Sequence, residues 1–191
     1  MAFLSQIALQ KIGFRHLGQN VKVSDKASIY RADLISIGDN SRIDDFCVLS
    51  GDVQIGNYVH LAIRSSALGT EKASVIMEDF TTLAYNVSVF TLSDDYSGEM
   101  MTNCTISNEL RNCDGKEVVI KKHSIIGAHS VIFPGVVIET GTAIGAMSLV
   151  KKSTQPWTIY FGIPARPMKA RKKDLIKLEE QFVNQNTLLA I

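Results

Sequence analysis

Large aliphatic residues recur every six positions along two stretches of the chain, 37–61 and 120–150. This period fits neither the 3.6-residue repeat of an α-helix nor the alternation of a half-buried strand. It predicts short strands joined by corners, three to a coil, with each aliphatic side chain pointing inward onto its counterpart eighteen residues later, about 4.8 Å along the axis. The two series are Ile37, Ile43, Leu49, Ile55 and Leu61, and Ile120, Ile126, Ile132, Ile138, Ile144 and Val150.

The residues between the aliphatic positions favour tight corners. Small or β-branched residues stand four positions after each aliphatic residue, as at Ser41 and Ser130, and glycine with aspartate or asparagine often follows it directly. Such residues are typical of chain bends. Two further sets of apolar residues keep the six-residue spacing but are out of phase with the main series. The first follows looser corners in 67–74, and the second lies upstream and is shifted by two residues. They are Met77, Leu83 and Val89, and Val23, Ile29 and Ile35.

Two segments depart from the six-residue period. Residues 94–117 are polar and aperiodic, and they predict a loop that leaves the coil. Residues 166–186 predict an amphipathic helix with Leu175, Leu178 and Phe182 on one face, and we expect it to cover the open last coil. Residues 2–11 are expected to cover the other end. The chain is thus a single domain over 1–191, all-β, with a β-helix over 20–164.

The amino-acid composition argues against several classes of protein. The 191 residues carry 20 Lys+Arg and 19 Asp+Glu, a net charge of +1 that argues against a nucleic-acid-binding protein. With 46% hydrophobic residues the chain is too apolar for disorder, yet it lacks a stretch long enough to span a membrane. The first ten residues do not read as a signal peptide, and Cys47, Cys104 and Cys113 form no C-x-x-C pair. A folded cytoplasmic protein is expected.

The repeats and the segment after them resemble a known family. The runs 37–66 and 120–150, followed by Tyr160-Phe161-Gly162-Ile163-Pro164-Ala165-Arg166, resemble the hexapeptide-repeat acyltransferases. They are similar in particular to the galactoside and maltose O-acetyltransferases and to enzymes that acetylate bacterial surface polysaccharides. The resemblance implies a left-handed parallel β-helix, a homotrimer, and acetyl-CoA lying in the cleft between neighbouring subunits.

The resemblance also implies where the acceptor binds. Aligned from Ala84, the family's catalytic histidine falls on Asp94, so the base expected for acetyl transfer is replaced by a carboxylate. We expect Asp94 to orient an imidazole, and His60, which can face the cleft directly or from a neighbouring subunit, is our candidate. Asn86 matches the position that holds an acceptor hydroxyl in the family.

Two further residues of the loop, Asp95 and Tyr96, are candidates for contact with the acceptor. Each acceptor-site candidate has a structural alternative. His60 can be an outward strand residue, Asn86 can bond its own backbone in a turn, and the loop acids can simply be solvated. Tyr96 can pack against the loop instead of stacking on a sugar.

Basic residues accumulate where the resemblance places the cofactor. Residues 151–173 contain seven Lys or Arg and no acid, whereas 94–117 contain six acids and two basic residues. Lysine and arginine suit the phosphates of coenzyme A, although such a run can also be a solvated helix face. The positions that match the family's cofactor groove are Ala128, Ala146, Lys151, Lys152 and Arg166.

The sequence therefore predicts an acetyl-CoA-dependent O-acetyltransferase acting on a sugar hydroxyl, with a role in surface polysaccharide biosynthesis. The nearest alternative is N-acetylation of an amino sugar on a nucleotide carrier, because an amine needs a weaker base than a hydroxyl does. A non-catalytic scaffold and a γ-type carbonic anhydrase using His60, His123 and His129 are weaker alternatives. No metal is expected.

Overall fold

The computed structural model describes residues 2–112 and 114–189. Within them, three parallel sheets form the sides of a prism, and each coil gives one strand to each sheet. Six coils are complete and a seventh begins at Thr158. The first sheet contains β1 (His16–Leu17), β4 (Ile35–Ile37), β7 (Val53–Ile55), β10 (Val75–Met77), β13 (Val118–Ile120) and β16 (Val137–Ile138).

The other two sheets follow the same order along the axis. The second contains β2 (Lys22–Val23), β5 (Arg42–Ile43), β8 (His60–Leu61), β11 (Thr82–Leu83), β14 (Ile125–Ile126), β17 (Ala143–Ile144), β19 (Thr158–Gly162) and β20 (Ala165–Ala170). The third contains β3 (Ser28–Tyr30), β6 (Val48–Ser50), β9 (Ser66–Leu68), β12 (Ser88–Phe90), β15 (Val131–Ile132) and β18 (Leu149–Val150). The predicted parallel β-helix is confirmed.

Strand pairing explains each slip in the sequence period. Ile37 pairs with Ile55, eighteen residues later, as the regular repeat predicts. Ile55 pairs with Met77, twenty-two residues later, because extra residues form a looser corner around 69–74. Met77 pairs with Ile120 across the excursion of 94–117. Insertions therefore enter at corners and leave the stacked strands in register.

The core is a column of aliphatic side chains from each sheet. Ile120, Ile126, Ile132 and Ile138 are fully buried, as the inward positions of the period predict. The small residues beside them satisfy backbone groups at the corners. Ser130 Oγ donates to the Gly145 carbonyl (2.9 Å) and accepts from the amide N–H of Ser148 (3.1 Å). A larger side chain would displace these bonds.

The corners turn through residues in the left-handed backbone region. We call the bend from the first to the second sheet the first corner, from the second to the third the second corner, and from the third back to the first the third corner. Residues with positive φ recur there on successive coils. They are Asn20, Asn40, Tyr58, Phe80, His123, Gly141 and Trp157 at the first corner, and Phe46, Arg64, Asn86, His129 and Met147 at the second.

Helices lie at both ends of the chain. The helix α1 (Gln6–Ile12) begins at Ser5, whose hydroxyl accepts from the Ala8 N–H, and it buries Leu9 against the first coil. The second helix, α2, spans Leu175–Leu189. No helix in the described part of the chain combines the length and apolar character needed to cross a bilayer. Cys47 is buried and Cys104 exposed, both as free thiols, whereas Cys113 lies outside the described residues.

The predicted C-terminal helix over 166–186 is wrong at its start and in its position. Residues Ala165–Ala170 form β20, which pairs antiparallel with β19 after the turn at Ile163-Pro164. The backbone of β19 is the open edge of the second sheet, and pairing with it satisfies groups that a helix would leave unbonded. The α2 helix consequently begins at Leu175 and packs along the first corner instead of over the last coil.

The stacked core generates the first testable prediction. Ile126 is fully buried between Leu83 and Ile144, whereas its neighbour Ile125 points outward and is 39% exposed. Ile126→Ala should lower the free energy of unfolding by about 2–5 kcal/mol, because it leaves a cavity in the column. Ile125→Ala, the matched control, should cost about 1 kcal/mol or less. Denaturant unfolding measures both, and equal losses would contradict the inward and outward assignment.

Candidate active site at the second corner

The first corner is occupied by the chain itself. The rings of Tyr58 and Phe80 stack at 5.0 Å between centroids, and Phe182 of α2 meets both edge-on. Glu179 of the same helix binds Lys122 Nζ (2.6 Å) and His123 Nε2 (2.9 Å). A cavity of about 420 Å³ remains between the helix and these rings. This corner is the docking surface of α2.

His123 has a structural role in that packing. Its ring is buried and stacks on Phe80 at 5.6 Å. Burial lowers the pKa of His123 below its ordinary value, and the nearby Glu179 carboxylate offsets only part of this effect. His123 and His129 lie at different corners, and the described residues contain no cluster of three metal-ligating side chains.

The third corner carries the excursion loop. Asp94 follows β12, and its Oδ1 accepts from the amide N–H of Asn103 at 3.4 Å. Tyr96 is 89% exposed, so it does not pack against the loop. The loop therefore projects from the prism with Asp94 near its base and an aromatic ring at its surface.

Asp95 organises the start of this loop. Its carboxylate accepts hydrogen bonds from the Ser97 hydroxyl (2.8 Å) and from the amides of Ser97 and Gly98 (3.1 and 2.8 Å). These bonds, those of Ser97 most of all, lower the pKa of Asp95 to about 2. Asp95 therefore holds a turn of the loop, a structural role that differs from both the expected acceptor contact and a simply solvated acid.

The second corner is open along its length and brings together residues from distant parts of the sequence. The Asn86 side-chain amide lies 3.4 Å from His129 Nε2 on the next coil. Ala128 precedes His129, and the Ala128 carbonyl accepts from the N–H of Met147 (2.8 Å), next to Ala146. The predicted acceptor residue Asn86 and the predicted cofactor residues Ala128 and Ala146 thus line one edge.

His129 is a candidate site residue that the sequence did not assign to this edge. It is exposed, and its ring nitrogen contacts Asn86 although 43 residues separate the two. The excursion of 94–117 hides their proximity in the sequence. The corner phase of the repeat was the available signal, because both residues stand at the same point of their hexads.

His60 does not lie beside Asp94 within the protomer. It is the first residue of β8, and its Nε2 lies 2.9 Å from Asp44 Oδ2. Asp44 is nearly buried and also accepts from Arg42 Nε at 2.6 Å. A carboxylate does orient the imidazole, but it is Asp44, on the coil below, instead of Asp94.

The predicted cofactor residues fall on three parts of the prism. Ala128 and Ala146 are at the second corner, Lys151 and Lys152 are exposed just after β18, and Arg166 is exposed in β20. Lys151 Nζ lies 5.6 Å from the Phe133 ring centroid.

One member of the basic run has a structural function. Arg171 Nη1 donates to the carbonyls of His123 (2.8 Å) and Gly141 (3.1 Å), tying the segment before α2 to the first corner. Only part of the basic run is therefore available to phosphates.

Comparison with known proteins places this geometry in a family. No family model matches the chain. It is 44% identical over 185 residues to an Escherichia coli dTDP-4-amino-4,6-dideoxy-D-glucose acyltransferase, covering 95% of each chain. The chain belongs to the hexapeptide-repeat acyltransferases, and the predicted resemblance is confirmed.

A solved relative has the same overall structure. AntD, an N-acyltransferase from Bacillus cereus in complex with dTDP and 3-hydroxybutyryl-CoA, is 48% identical, with a TM-score of 0.94 over 97% of this chain and 98% of AntD. O-acetyltransferases are more distant. The E. coli K12 protein WbbJ, a putative lipopolysaccharide O-acetyltransferase, is 28% identical over 152 residues, 77% of this chain and 74% of WbbJ. A maltose O-acetyltransferase from Clostridium difficile, 21% identical with a TM-score of 0.54 over 85% of this chain and 73% of that one, shares the fold.

The loop turn generates a pH-dependent prediction. Asp95 should titrate with a pKa of about 2 in the folded protein, below the ordinary value of 3.8. Because the pKa of Asp95 is lower in the folded protein than in the unfolded chain, the charged carboxylate stabilises the turn fully at any pH above the unfolded-state pKa. This stabilisation is lost as the pH falls through the folded-state pKa. Carboxyl-carbon NMR shifts measure it. Ser97→Ala should raise the Asp95 pKa, and an unchanged value would show that Ser97 is not the cause.

Proposed function

We propose that the protein is an N-acyltransferase that moves an acyl group from acyl-CoA to the 4-amino group of dTDP-4-amino-4,6-dideoxyglucose. The observation that carries the proposal is similarity along nearly the whole chain to two proteins with that kind of activity in their names, at 44% and 48% identity. The O-acetyltransferase function expected from the sequence has weaker support, from a relative at 28% identity.

The proposed reaction forms a C–N bond and breaks the thioester C–S bond. The acceptor's ammonium group first gives a proton to the Asp94 carboxylate, which releases it to solvent, and the neutral amine then attacks the thioester carbonyl. The tetrahedral intermediate expels the thiolate, which takes the second amine proton and leaves as CoA-SH. Because a neutral amine is a good nucleophile, this reaction does not need the strong base that a hydroxyl acceptor needs.

Asp94, Asn86 and His129 are the residues we assign to the acceptor. The Asp94 carboxylate can pair with the ammonium group and accept a hydrogen bond from the amine. Asn86 and His129, in contact at the second corner, can hold the sugar ring. His60 is placed outside this group because Asp44 holds it on the coil below.

The proposed acceptor site needs residues from two subunits. Asp94 leaves the third corner of a protomer, whereas Asn86 stands at its second corner, so they lie at different edges of one prism. They can share a cleft when the loop of one protomer reaches the second corner of its neighbour. A homotrimer meets this requirement through closed symmetry.

We place acyl-CoA in the same cleft. Ala128 and Ala146 leave room for pantetheine along the second corner, and Lys151, Lys152 and Arg166 supply exposed positive charge around it. We extend the proposal to a cytoplasmic enzyme whose product enters surface-glycan biosynthesis, a role supported by the name of WbbJ.

The product of the reaction tests the proposed function. Incubation with acetyl-CoA and dTDP-4-amino-4,6-dideoxyglucose should give a product that mild alkali leaves intact, because an amide survives conditions that cleave an ester. The corresponding dTDP-sugar with a 4-hydroxyl group is the control acceptor and should give no product. Mass spectrometry follows both. An alkali-labile product formed only from the hydroxyl sugar would support O-acetyl transfer instead.

Asp94→Asn should lower kcat/KM about a hundredfold, because the amide cannot pair with the ammonium group or accept its proton. Glu99→Gln, the same change at an exposed position of the same loop, should leave kcat/KM within about twofold of the native value. Steady-state kinetics measure both variants. Equal activity of Asp94→Asn and the native enzyme would remove Asp94 from the reaction.

The same variant also tests the shared cleft. Asn86→Ala should likewise be weakly active. Trimers assembled from equal amounts of Asp94→Asn and Asn86→Ala subunits should regain about a quarter of the native activity. The reason is that one cleft in four then combines an intact loop from one subunit with an intact second corner from its neighbour. No recovery in mixed trimers would show that Asp94 and Asn86 act within one protomer instead of across a cleft between two.

A further inference from the structure

The second corner continues below Asn86 as an exposed edge. Phe46 and Arg64 stand at the same backbone position on the two preceding coils, with φ values of 60° and 61°. The Phe46 ring is 51% exposed. The Arg64 guanidinium lies 5.9 Å from the ring centroid, and Lys26 Nζ lies 5.7 Å from it. An aromatic surface and two cations therefore lie in one line with Asn86.

Arg64 is the available cation in this line. Lys26 pairs with Asp45, at 3.5 Å between Nζ and Oδ2, and Asp45 is also held by Ser24. Among the described ion pairs, none involves Arg64. The nearby Asp44 is engaged by Arg42 and His60. A guanidinium without a carboxylate partner, at an exposed corner, suits a phosphate group.

The spacing of these residues fits a particular kind of ligand. Successive coils are about 4.8 Å apart, so Phe46 lies two coils, or about 10 Å, from Asn86, with Arg64 between them. A diphosphate and its two ester links bridge a gap of this size between a nucleoside and a sugar. The order of aromatic ring, cation and polar amide follows the order of base, diphosphate and sugar.

The other two edges are less suited to this ligand. The first corner is covered by α2 from Tyr58 to His123. At the third corner, the exposed Arg31 is paired with Asp33 and Glu71, so its charge is compensated. The predicted cofactor positions Ala128 and Ala146 lie beyond Asn86 in the opposite direction along the second corner.

We propose that the nucleoside diphosphate of the acceptor lies along the second corner towards the N-terminal coils, with Arg64 binding the diphosphate and Phe46 contacting the base. This inference rests on the proposed function, since it assumes a nucleotide-linked acceptor. Acceptor and acyl donor then approach Asn86 and His129 from opposite ends of one edge, which brings the amine to the thioester.

Kinetics of corner variants test the inference. Arg64→Ala and Phe46→Ala should each raise KM for the dTDP-amino sugar about tenfold or more, because each loses a contact made equally before and during the reaction. The kcat and the KM for acetyl-CoA should stay within about twofold. Arg31→Ala is the matched control, since Arg31 is also an exposed arginine at a corner with positive φ, and it should leave both KM values unchanged.

Direct binding separates this inference from the proposed function. Calorimetry with dTDP should show weaker binding to Arg64→Ala than to the native protein and an intermediate value for Arg64→Lys, measured on material that elutes with the native assembly. Turnover of the dTDP-amino sugar with unchanged KM and dTDP affinity in these variants would overturn the inference alone. Failure of the native protein to bind dTDP or acylate the amino sugar would overturn both.

Discussion

Every coil of the solenoid depends on the burial of one aliphatic side chain per hexad against the equivalent side chains of neighbouring coils. Ile126 packs between Leu83 and Ile144, and the strands that carry them pair in parallel. This contact fixes the distance between coils at the strand spacing of about 4.8 Å. It also fixes the phase of each corner, because a shift by one residue would expose the aliphatic side chain. The packing of the core therefore fixes the backbone position of each corner.

The three corners share one backbone geometry but differ in what surrounds them. Helix α2 covers the first through Phe182 and Glu179, and the third carries the excursion with Asp94. The second keeps short regular bends on every coil, so Phe46, Arg64, Asn86, His129 and Met147 form a continuous exposed edge. The chain leaves one edge free and extends a loop from another, and the proposed homotrimer would bring these two features together.

The sequence predicts the solenoid well because the aliphatic residue in each hexad shows which position is buried. Even the slips at 67–74 and at the early set appear as changes of spacing between paired strands. The start of α2 was not predictable in this way, since the preference of 165–170 for a strand arises from the open edge of β19. Contacts between side chains were harder still. The pairing of His60 with Asp44 and of Asn86 with His129 depends on which coils are adjacent, and insertions change that adjacency without altering the local pattern.

The carboxylate at position 94 changes the electrostatic character of the site as well as its basicity. The loop 94–117 carries six acids and two basic residues, so the segment proposed to cover the acceptor is negative. The amino group of the acceptor arrives as an ammonium cation, and a negative loop favours its approach, while the diphosphate of the same molecule needs positive charge elsewhere. The same field opposes its deprotonation, so pairing with Asp94 must be released as the amine turns towards the thioester. A neutral hydroxyl would gain nothing from this charge, whereas an amine is attracted by it and needs only a transient acceptor for its proton. The replacement of a histidine by an aspartate is therefore consistent with an amine acceptor on physical grounds.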